Sequence, residues 1–94
     1  MNDMTADTFR AHLREQFRLD AGTADALTLE LATVSGGGDG ADGRPFSVVF
    51  LGPGDPVLPQ RIYRLEHIDL GVMELFLVPI GREADGVRYE AVFG

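Results

Sequence analysis

The chain has no cysteine and no lysine. Without cysteine there are no disulfides, no thiolate catalysis and no cysteine-ligated metal, and the redox compartment stays open. Without lysine, arginine is the only permanently charged cation, a residue suited to bidentate pairing with carboxylates. This usage also matches a GC-rich bacterial genome. No apolar run approaches the ~20 residues needed to span a bilayer as a helix. The opening MNDMTADTFRAH lacks the basic-then-apolar layout of a secretion signal. A cytoplasmic location with no membrane partner is therefore expected. Positive charge is scarce too: 8 Arg stand against 15 Asp and Glu, for a formal net charge of −7. That balance opposes long-range attraction to nucleic acid and is expected first of all to serve solubility.

What is present suits a single domain over residues 1–94, large enough for a core but with a narrow margin of stability. The densest signal is QRIYRLEHIDLGVMELFLVPIG, residues 60–81, which predicts a β-hairpin. Its second arm, 72–78, is apolar at every position but Glu74, so both faces need cover. The turn falls in HIDLG, where Asp69 can bond its own backbone and Gly71 can supply a positive φ. Alternation places Tyr63 and Leu65 with Met73, Leu75 and Leu77, and Ile62, Val72, Phe76 and Val78 on the other face. Pro79 is expected to end the ladder or to sit where no donor is needed.

Before the hairpin, Thr5 is the predicted N-cap of an amphipathic helix over about residues 5–17. Phe9, Leu13 and Phe17 form its apolar stripe, with Arg10, Arg14 and Arg18 in a row beside it. That row could meet an acidic partner or a phosphate, or could simply be a solvated face. Phe17 to Asp20 can pass straight into a short strand, with a turn at 21–23. Further strands are expected at about 26–34, 46–51, 61–67, 72–79 and 87–93, with a flexible glycine-rich loop at 36–43. Asp39 and Asp42 in that loop lack the spacing of a calcium site.

These elements predict an α+β fold. One N-terminal amphipathic helix packs on a five- or six-stranded antiparallel sheet curled into a small barrel or folded into a sandwich. Leu27, Leu29, Leu31, Phe46, Val48, Phe50, Tyr63, Leu65, Met73, Leu75, Leu77, Tyr89 and Phe93 share the interior parity. Val49, Leu51, Ile62, Val72, Phe76, Val78 and Val92 share the other, more than one short helix can cover. Two arrangements answer this: an exposed face that binds a partner, or a tighter sandwich in which both sets are internal.

For chemistry the pattern offers little. His12 is expected on the helix as a partly buried structural imidazole. His67 sits at the hairpin turn near Glu66 and Asp69, where it is expected to cap backbone carbonyls or bond Asp69. No nucleophile motif flanks Ser35 or Ser47, and two histidines on separate elements do not make a zinc set, so no catalytic residue, metal or cofactor is expected. Tyr63, Glu66 and His67 are the candidate ligand-binding residues. Val49, Leu51, Ile62, Val72, Phe76 and Val78, with Arg10, Arg14 and Arg18, are the candidate partner-binding residues.

The segments TFRAHL, LTLELATV, LPQRIYRLEHIDLGVMELFLVPIG and YEAVF together resemble an uncharacterised family of small bacterial domains of unknown function. The resemblance spans most of the chain and implies no activity or site residue. It implies members encoded beside phage-tail-collar-like proteins, hence a structural or assembly role. Two functions follow as expectations. The first is a non-enzymatic interaction or assembly module, such as an accessory of a tail-fibre-like structure, that binds a protein partner or a second copy through the outward apolar face and strand edges. The second is a small-ligand domain or minor enzyme with a site near His67.

Overall fold

The computed structural model describes residues 5–20, 26–36, 45–54 and 57–93. The turn expected at 21–23, and the glycine-rich loop apart from Gly36, lie outside them. The described elements are α1 (Ala6–Arg10), β1 (Gln16–Asp20), β2 (Leu27–Gly36), β3 (Phe46–Gly52), β4 (Arg61–His67), β5 (Gly71–Glu83) and β6 (Gly86–Phe93). All pairings are antiparallel, in the order β1-β2-β3-β6-β5-β4, and β1 pairs back onto β4 to close a barrel. The α+β expectation with a curled sheet is met in its barrel form.

Period-two alternation built the core as expected. The interior is filled by Phe17, Leu19, Leu29, Leu31, Val48, Phe50, Leu65, Leu77, Val87 and Tyr89, all essentially without solvent contact. Tyr63 stands opposite Leu75 and Leu65 opposite Met73, on the shared face read from the sequence. Gly71 takes φ 81 at the end of the hairpin loop. Ile62 and Phe76, 62% and 51% exposed, and Val72 and Val92 remain outside, so the tighter sandwich with both sets internal is overturned.

The helix is shorter than expected and does a different job. Thr5 and Thr8 form a reciprocal capping box, Asp7 lies in the first turn and Arg10 in the last. The helix then stops at Arg10 rather than running to about 17. The reason is tertiary: Arg14 N–H donates to the Leu31 carbonyl at 2.8 Å and Leu31 N–H to the Glu15 carbonyl at 3.1 Å, with Arg14 at φ 72. Pairing with β2 captures the backbone that helix propagation would have used. Leu13 is consequently 38% exposed, while Phe9 and Phe17 are buried on separate elements. Instead of lying on the outer face of the sheet, α1 plugs one end of the barrel. Phe9 packs against Phe93 at 5.3 Å and Phe46 at 6.0 Å, and those two rings stack at 4.6 Å.

The opposite end is closed by Leu58, whose N–H donates to the Tyr89 hydroxyl at 2.9 Å, while the Tyr63 hydroxyl donates to the Pro59 carbonyl at 2.6 Å. Pro79 does not end its strand. β5 passes it to reach Glu83, with a register shift between Pro79 and Gly81 that leaves Ile80 as the extra residue. Every described strand has two neighbours, but β5 runs past its ladder with β4, which ends at Leu77, and from Val78 to Glu83 pairs with β6 alone.

Candidate functional site

His67 is the last residue of β4 and shares the inward parity of Tyr63 and Leu65, which leaves it 5% exposed under the helix end of the barrel. The loop that follows folds back so that the N–H groups of Asp69 and Leu70 reach its Nδ1 at 3.0 and 3.2 Å. An amide can only donate, so Nδ1 accepts and the ring carries its proton on Nε2. That Nε2–H donates to Glu15 Oε1 at 2.6 Å. Glu15 is held there by the left-handed turn at Arg14 and by its backbone bond with Leu31.

His12 reaches the same oxygen. Its Nδ1 lies 2.7 Å from Glu15 Oε1, and because a carboxylate accepts, Nδ1–H is the donor. The two imidazoles meet edge to face with centroids 4.6 Å apart, and Phe17 packs against His67 at 4.6 Å. The bonds from His12, first, and His67, second, hold the Glu15 carboxyl below its ordinary 4.5. The Asp69 carboxylate completes the group: one potential ligand atom from each of His12, Glu15, His67 and Asp69 falls within 4.8 Å of the others. The arrangement keeps a carboxylate ionised between two N–H donors at a partly open surface, a place able to hold a cation or relay a proton.

Of the expected trio, Glu66 and His67 line one surface pocket with Arg18 and Ile68, and Tyr63 stands apart from them. Tyr63 is buried near the opposite end of the barrel. Glu66 points outward, opposite Arg18 on one side and Val72 on the other. His67 caps amides rather than carbonyls, and the expected bond with Asp69 forms through that residue's backbone N–H. The partners that matter, Glu15 and His12, were missed. Their spacing of three was visible, but His67 reaches Glu15 across 52 residues of chain through the closure of β1 on β4. The two histidines, expected on separate elements, are brought to one carboxylate oxygen by the same closure.

The arginine row dissolves for the same reason the helix ends. Arg10 pairs with Asp7 at 3.2 Å and donates to the Gly36 carbonyl. Arg14 sits in the turn, 3.8 Å from Glu30, and Arg18 is on β1 opposite Glu66. They form no common surface.

The outward apolar set does form one in part. Ile62 and Phe76 are direct cross-strand partners, and Val72 follows on the same face of β5 beyond the Arg64 and Glu74 pair. Ile80 is exposed at the β5 bulge, and Val92 on β6 is 72% exposed. Val49, Leu51 and Val78 are half-buried. Among the described residues no helix is long and apolar enough to cross a membrane.

A family model described as a domain of unknown function (DUF6916) matches residues 4–93. No curated protein and no solved structure matches the chain.

Proposed function

The chain belongs to this family of unknown function, DUF6916, whose description supplies no activity, and from its own geometry we propose that it is a non-enzymatic interaction or assembly module. The observation that carries the reading is the exposed Ile62 and Phe76 pair, with Val72 on the same face beyond the Arg64 and Glu74 pair, on a barrel whose interior is already filled. Large apolar side chains left this exposed on the outside of a closed sheet gain little from folding. They gain from a partner.

The partner is a different protein with an apolar centre and a basic rim. Two copies at a net charge of −7 each repel, whereas a basic partner is attracted. The resemblance of the core segments directs the first choice to phage-tail-collar-like proteins. Wild type and an Ile62→Ser/Phe76→Ser variant, each shown to be folded by thermal melting, would be titrated against such a protein from the native host. Saturable binding by wild type that the variant loses supports the proposal. Equal binding by both, or none by either, overturns it, and a concentration-dependent dimer in light scattering would replace it with self-association.

A second reading, a small-ligand site near His67, is favoured by the cluster of His12, Glu15 and His67, which lies at the surface of the barrel end rather than in its packed interior.

A further inference from the structure

We propose that the helix end of the barrel carries a transition-metal site, with His12 Nδ1 and the carboxylates of Glu15 and Asp69 as ligands for Zn²⁺ and His67 as the residue that positions Glu15. The site is independent of the interaction surface, which lies on the outer faces of β4 and β5.

The four groups do not have equivalent roles. His67 Nδ1 accepts from two backbone amides, so its proton stays on Nε2 and points at Glu15. For Nε2 to offer a lone pair, that proton would have to move to Nδ1, against two N–H donors. Metal-bound imidazoles donate through their second nitrogen; His67 does the reverse. It therefore serves as a fixed donor that orients a ligating carboxylate, a role metal sites routinely supply.

His12 is under no such constraint. It meets Glu15 through Nδ1, and moving its single proton to Nε2 frees Nδ1 for a cation with no net proton release. His12 Nδ1 stands 2.7 Å from Glu15 Oε1, and one potential ligand atom from each of the four residues lies within 4.8 Å of the others; tetrahedral zinc sets its ligands about 3.3 Å apart, so adjustments of up to about 1.5 Å suffice. Glu15 is partly exposed and Asp69 sits in an exposed turn, so both carboxylates have room to make them. The neighbouring cation does not compete, because Arg14 is turned toward Glu30. Two carboxylates and a neutral imidazole balance a divalent charge, and the solvent side leaves a fourth position for water. One imidazole with two carboxylates suits zinc better than calcium or magnesium, which prefer oxygen throughout.

The test uses untagged full-length protein, stripped with EDTA, dialysed and titrated with Zn²⁺ by calorimetry. One Zn²⁺ per chain is expected, with affinity at least about tenfold weaker in His12→Gln and in Asp69→Asn. Glu74→Gln, on an exposed strand position, should bind as wild type does. In ¹⁵N imidazole spectra, zinc should move the His12 proton from Nδ1 to Nε2 while His67 keeps its Nε2 proton. The absence of saturable binding, undiminished binding by folded His12→Gln, or loss of the His67 Nε2 proton on zinc addition would each overturn the assignment.

Discussion

A Cβ at Gly86, which takes φ 141, would come 2.1 Å from the Gly52 carbonyl oxygen, whereas at Gly71, with φ 81, it would meet open space. Gly86→Ala should therefore cost at least about 2 kcal/mol in urea unfolding, through both backbone strain and a collision with main chain. Gly71→Ala should cost only the strain, about 1 kcal/mol. Equal losses would show that contact plays no part at Gly86. Gly71 was legible because the turn chemistry of HIDLG is local. At Gly86 the need arises from Gly52 on another strand, which no local signal carries. Tyr63 supplies a pH prediction. Burial, the leading cause, raises its phenol above 10.0. With the folded pKa the higher one, stability is fully present below pH 10.0, and is lost as pH rises through the folded value. Ionisation would also remove the proton donated to Pro59. Urea melts on either side of pH 10.0 should show the loss in wild type and a shallower slope in Tyr63→Phe.

At the scale of elements, α1 matters through one ring more than through its length. Phe9 is wholly buried against Phe46 and Phe93, so Phe9→Ala should cost about 3–5 kcal/mol, against about 0.5–2 kcal/mol for losing the cap in Thr5→Ala. Thermal or urea unfolding of the two variants checks the ordering. A larger effect from Thr5→Ala would mean that helix formation, not closure of the barrel end, limits stability. The spacing of Phe9, Leu13 and Phe17 pointed to a longer helix because local periodicity carries no sign of Leu31, whose backbone takes over the chain at Arg14 and Glu15. The cap itself was legible from Thr5, a signal that needs only its own turn.

For the whole molecule, alternation along each strand separated inside from outside well, because parity is set by a residue's own strand. It left no trace of which strands meet. The closure of β1 on β4 was therefore invisible, and with it the meeting of His12, Glu15 and His67, the feature on which the zinc proposal rests. The exposed face follows from parity and was legible. Since Ile62 and Phe76 contribute little to the core, Ile62→Ser/Phe76→Ser should shift unfolding free energy by no more than about 1 kcal/mol while abolishing partner capture. A large loss of stability in that variant would reassign the pair to folding.

The ring of strands is held shut at its first member by few rungs: among the described residues, only Arg18, Leu19 and Asp20 of β1 are engaged on the β4 side. Were those rungs to part, the cylinder would relax into an open ribbon with two raw margins, the shape from which exchanged dimers and fibrils grow. The five residues of β1 thus act as a clasp, and fast hydrogen exchange confined to them would be an early sign of it working loose.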